Sequence, residues 1–177
     1  MKKLIALFVA VMLVAVPAFA STEDHQHTVE FRVDPALDIT SSTGTFTLTM
    51  ADFISGSESN VQPVTYNIRA NKMPAGALSG AVYASMDQLV SDVDLKASFV
   101  SYSNVGSSGN AVLSSALTGY EVVGTSAKNL AHKDTQTGNQ AKIVRGNLVI
   151  NWKALANKDL ADDLDQDRIL TVTIKDA

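Results

Sequence analysis

The sequence predicts an all-β protein, an immunoglobulin-like or jelly-roll β-sandwich behind a cleavable signal helix. Three observations predict it. Apolar residues recur at every second position in many short runs, the mark of strands buried on one face. The alternate positions are rich in Thr and Ser, whose place is on the solvated face of a pleat. Gly, Pro, Asn and Ser punctuate the chain at short intervals, and no long stretch has helical periodicity once the first twenty residues are set aside.

Those twenty residues read as a secretory signal peptide. Met1-Lys2-Lys3 is a short basic start, Leu4 to Val16 is an unbroken apolar run, Pro17 breaks it, and Ala18-Phe19-Ala20 supplies small residues around a cleavage site. The run is too short to anchor stably across a bilayer of about 30 Å. Cleavage after Ala20 makes Ser21 the mature N-terminus and places the protein outside the cytoplasm, in the periplasm or at the cell surface. Loss of Lys2 and Lys3 takes the formal charge from −4 to −6. Such a chain has no electrostatic case for nucleic acid or an anionic membrane, and no further run is long enough to insert in one. Absence of cysteine excludes disulfides, thiolate metal sites, thiol catalysis and a lipid anchor on the mature N-terminus.

The domain organisation follows: signal peptide 1–20, flexible polar leader 21–27, and one β-sandwich domain over 28–177. Val29, Phe31 and Val33 alternate with Thr28, Glu30 and Arg32, predicting a strand that Asp34-Pro35 ends. Leu37 and Ile39 continue it briefly. Phe46, Leu48 and Met50 predict the next strand, opened by Gly44. After a loop over 55–62, Val64, Tyr66, Ile68 and Ala70 predict another. Residues 79–86 form a small-residue strand, with Val82 and Ala84 opposite Ala81, Tyr83 and Ser85. Val93, Leu95, Ala97 and Phe99 follow. Residues 104–110 are a Gly/Ser loop, 111–117 are either a short strand or a helical turn, and 120–124 are a further strand. Residues 127–140 are polar and read as a long connection. Leu148, Ile150, Trp152 and Ala154 mark one closing strand and Leu170, Val172 and Ile174 the other, paired as antiparallel neighbours. Between them, 157–168 form either one helical turn or an open loop.

Few residues carry a chemistry. Asp163, Asp165 and Asp167 alternate, and carboxylates so spaced can converge on Ca²⁺. An EF-hand is excluded, because Arg168 and Ile174 stand where it needs its Gly and its terminal acid. His25 and His27 share one side of an extended leader and suit Zn²⁺ or Cu²⁺, but on a mobile terminus. His132 is the lone histidine inside the folded part; no serine lies in a nucleophile elbow, and no Gly-rich loop leads into a phosphate site. Trp152 alternates with core residues, so it reads as core rather than as a sugar platform. The expectation is a protein that is not an enzyme and has no cofactor, with Ca²⁺ at the aspartates as the candidate ion and Zn²⁺ or Cu²⁺ at the two leader histidines as the lesser one.

An exported leader, an alternating strand at Val29–Val33, a Thr/Ser-rich β-domain, and a last strand Arg168-Ile169-Leu170-Thr171-Val172-Thr173-Ile174-Lys175 together resemble bacterial surface β-sandwich subunits. These are of the fimbrial and spore-coat-protein-U-like kind. The resemblance implies a structural subunit of a surface fibre or coat. Such a subunit self-associates as a homo-oligomer, or joins other surface subunits, by β-strand addition. Val29, Phe31 and Val33 form the expected assembly strand. Fimbrial subunits usually carry a disulfide, which this chain lacks. The alternative is a secreted or periplasmic non-catalytic binding module for carbohydrate or Ca²⁺.

Overall fold

The computed structural model describes residues 29–73, 81–106, 110–134, 142–161 and 166–175. The stretch read as a signal peptide, the two leader histidines, Asp163 and Asp165 lie outside them. Compact units divide at Val33/Asp34. In the first, residues 29–33 have no strand ladder, and Val29, Phe31 and Val33 are exposed.

The described residues of the second unit form nine strands in two antiparallel sheets: β1 (Leu37–Ser41), β2 (Gln62–Ala70), β3 (Ala81–Met86), β4 (Val93–Asn104), β5 (Leu113–Ser115), β6 (Glu121–Val123), β7 (Lys128–Lys133), β8 (Val144–Ala156) and β9 (Leu170–Lys175). One sheet has the order β1-β2-β8-β4-β6 and the other β5-β7-β3-β9. The alternation that predicts the strands also decides what is buried. Val64, Tyr66, Ile68, Leu148, Ile150 and Trp152 from the first sheet meet Val82, Ala84, Leu113, Leu130 and Ile174 from the second in one core. The thirteen residues of β8 alternate without a break between buried positions and positions that are part-exposed or, at Arg145, exposed. β8 lies mid-sheet, and its partners on either side hold that register.

Two ends of this unit matter below. The upper end holds Ala70, Val144, Asn104 and Lys175, and the chain enters there. Asn71 fixes that entry: its side chain accepts from the Ala36 N–H (2.7 Å) and donates to the Asp34 carbonyl (3.0 Å). At the lower end Val93 pairs with Ala156, and β9 starts at Leu170 opposite Met86.

Several expectations need correction. β8 and β9 are not neighbours: β8 pairs with β2 and β4, whereas β9, among the described residues, pairs with β3 alone, in the opposite sheet. Periodicity fixes which face of a strand is buried, and says nothing of which edge it pairs. Residues 128–133 form β7, not part of a connection. Its buried face is Leu130, Ala131 and Lys133, and a lysine on the buried side hides the alternation. Of the two readings of 111–117, the short strand β5 is the one found. Residues 44–50 make no ladder beyond a bridge between Met50 and Ser59.

Candidate functional site

The irregularity of residues 44–50 is the local feature from which the site is built. Their sequence is that of a strand, and their side chains behave as one: Phe46, Leu48 and Met50 are half-buried, while Thr45, Thr47 and Thr49 are exposed. Phe46 stacks on Trp152 with ring centroids 6.4 Å apart. Yet none of the main-chain N–H groups of residues 44–48 donates a hydrogen bond to any described residue. Asn60 supplies the hydrogen bonds that tie the stretch to the described residues: its Oδ1 accepts from Thr49 N–H (2.7 Å), and its own N–H donates to the Thr49 carbonyl (3.1 Å). An alternating segment with an apolar inner face and an unused ladder is, among the described residues, a strand without a neighbour.

Across from it runs the outer edge of β9. The Asp87 N–H donates to the Ile169 carbonyl (3.0 Å), so Ile169 is a hydrogen-bonded partner of β3's end, and the alternation of an antiparallel ladder carries this on to Thr171, Thr173 and Lys175. The main-chain groups of Leu170, Val172 and Ile174 therefore point away from β3, to the side on which β1 and residues 44–50 lie. Their side chains turn inward, Ile174 into the core and the other two half-buried.

Between these two edges lies an open groove of about 1110 Å³. Phe46, Leu48, Val64, Tyr66, Leu95 and Val172 are among its walls, and Asp52, Phe53, Asp167 and Arg168 stand at its lower end. The lining is apolar at depth and polar at the rim. Burial pushes the Tyr66 phenol up to about 12, more than the neighbouring Trp152 indole lowers it. The buried Trp152 N–H nevertheless has no partner in hydrogen-bond geometry among the described residues, a cost of about 1–3 kcal/mol that the ring's burial offsets. Trp152 is fully buried, which removes it as a sugar platform.

Asp167 is exposed at the groove's lower end, and Asp163 and Asp165 fall outside the described residues. Among the described residues no three His, Asp or Glu side chains cluster as a metal site. His132 is half-buried in β7, facing Ser114 and Ala81 across its ladders. Sequence reasoning did not find the groove itself. The signal was present in Phe46, Leu48 and Met50, but alternation does not reveal that a strand lacks its ladder.

No family model matches this chain, and no significant relative is found among curated proteins.

Proposed function

We propose that this chain is a secreted structural subunit of a bacterial surface fibre or coat, exported by its first twenty residues and self-associating by β-strand addition. We read its sandwich as immunoglobulin-like, with the groove standing where one more strand would complete the smaller sheet. The single observation that carries the reading is the groove whose main-chain edges, at residues 44–48 and at Leu170, Val172 and Ile174, have no ladder partner among the described residues. An extended segment laid there would gain a ladder on each side and put alternate side chains into an apolar trough, the recognition mode of strand addition.

The segment proposed to fill it is residues 29–33 of another copy. Val29, Phe31 and Val33 share one side of an extended chain, and Phe31 is 91 % exposed. Asp34-Pro35 separates them from β1, so pairing ends there. The mature protein, beginning at Ser21, should form polymers in analytical ultracentrifugation. Deletion of residues 21–34 should leave a soluble monomer that binds a synthetic peptide of residues 26–36. A mature protein that stays monomeric at high concentration, or a truncated one that ignores the peptide, sinks the reading.

A further inference from the structure

Resting on that reading, we infer that the two ends of the sandwich form a second interface, the lower end of one copy receiving the upper end of the next. Growth is thereby head-to-tail and electrostatically steered. The argument begins with strand direction. β9 runs from the lower to the upper end, and 44–50 continues from β1 in the opposite sense. A strand antiparallel to β9 enters at the upper end and finishes with its C-terminal residue at the lower end. For the segment 29–33 that residue is Val33, and the next, Asp34, is fixed by Asn71 to the upper end of the donor's own body. One peptide bond then forces the donor's upper end against the acceptor's lower end. A strand parallel to β9 would instead set upper end on upper end, an isologous contact that closes as a dimer.

The chemistry of the ends selects between these. The lower end exposes Phe53, Ile54, Leu89 and Ile169, whose exposures run from 49 to 68 %. Apolar side chains gathered on loops at one end mark a contact surface. The same loops carry Asp52, Asp87, Asp92, Asp159 and Asp167 against Lys158 and Arg168, with Glu58 engaged by Lys153. The upper end has the opposite balance. Arg69, Lys72, Lys142, Arg145 and Lys175 are all exposed there, against Asp34, Asp38 and Asp134. Arg69 and Arg145 stand directly opposite one another in the β2–β8 ladder, an arrangement that is unfavourable within the sheet and relieved by acids brought from outside. Leu37 and Val105 add apolar surface at this end. Upper against upper would juxtapose two basic ends; upper against lower pairs basic with acidic and covers apolar surface on both sides.

Two charge-reversed mature proteins test this. Lys142→Glu/Arg145→Glu turns the upper end acidic, and Asp52→Lys/Asp167→Lys turns the lower end basic. Each alone should polymerise at least about ten-fold more slowly than the parent at low salt, as lost steering predicts. Mixed in equal amounts they should recover polymer growth as an alternating copolymer, because each upper end again finds a lower end of opposite charge. A mixture that yields only closed dimers, or single variants that grow at the parental rate, overturns the interface. Should either variant fail to fold, the parent alone still decides: growth must slow as sodium chloride screens the ends, and salt-independent growth overturns the inference. The peptide assay separates the two failures. If the truncated protein binds the 26–36 peptide while reversal and salt have no effect, strand addition stands and the end-to-end interface falls. If the peptide does not bind, both fall.

Discussion

Trp152 is the residue on which the two faces of the site depend. Its ring is buried in the middle of β8, and on the groove side it carries Phe46. Truncation to Ala removes the largest buried side chain and the surface on which Phe46 rests. Trp152→Ala should cost about 3–5 kcal/mol in a urea titration; a cost below about 1 kcal/mol would show that the core does not depend on the ring. Gly146 is set by contact of a different kind. A Cβ there would sit 2.6 Å from the Tyr102 ring and closer still to the Ser103 carbonyl oxygen. Backbone cannot yield as a side-chain tip does, so Gly146→Ala should destabilise by about 1–3 kcal/mol despite adding one methyl. Tyr66 and Tyr102 set the alkaline limit. Burial raises both phenols to about 12 from an ordinary 10, with smaller opposing effects from the Trp152 indole and the Arg145 backbone. The folded state thus holds protons that the unfolded state releases first. Their contribution is whole below pH 10 and is lost as pH rises through 12. The urea midpoint should fall over that interval, and Tyr66→Phe should make the fall shallower; an unchanged slope would place the loss elsewhere.

At the scale of single elements, β9 and residues 44–50 are two edges of one opening, and β9 offers a clean test because its two sides have different duties. The Val172 N–H points to the groove, whereas that of Thr171 belongs to the ladder with β3. Proline deletes an N–H without a charge change. Val172→Pro should leave a folded monomer that no longer binds the 26–36 peptide, while Thr171→Pro should lower the melting temperature outright. Equal destabilisation by both would mean that the register is shifted by one. Elements of this kind were legible in the sequence to different degrees. β2 and β8 stand out because each inward position is apolar and each lies between two neighbours, so pattern and structure coincide. β7 escaped because Lys133 occupies an inward position, where burial lowers the pKa of its ammonium. The segment 44–50 reads as a strand and folds as one on its side chains alone, because hydrogen bonding needs a partner edge that the pattern of one segment cannot supply. The placement of β8 and β9 in opposite sheets was missed for a related reason: alternation reports a buried face, and two strands of opposite sheets show the same alternation as two strands side by side.

For the whole molecule, an open groove leaves the second unit short of one strand's worth of burial, and assembly is the proposed remedy. Val29, Phe31 and Val33 would each gain about 1.5–3 kcal/mol on full burial. Association itself costs about 4–15 kcal/mol in lost freedom, so the side chains alone give little net affinity and the main-chain ladders must contribute the rest. Two consequences follow for the peptide of residues 26–36. Its affinity should be graded by side chain, because the ladder is common to all variants: Phe31→Ala should weaken binding about 30-fold or more, Val29→Ala and Val33→Ala by about 3- to 10-fold, and Glu30→Ala hardly at all, since Glu30 lies on the outward side. The bound complex should also melt above the free truncated protein, by an amount that grows with peptide concentration. Isothermal titration of the four variants checks the first and thermal melts the second. If Glu30→Ala weakens binding as much as Phe31→Ala, the segment does not lie in the groove with its apolar side inward, and Val29, Phe31 and Val33 are not the assembly residues.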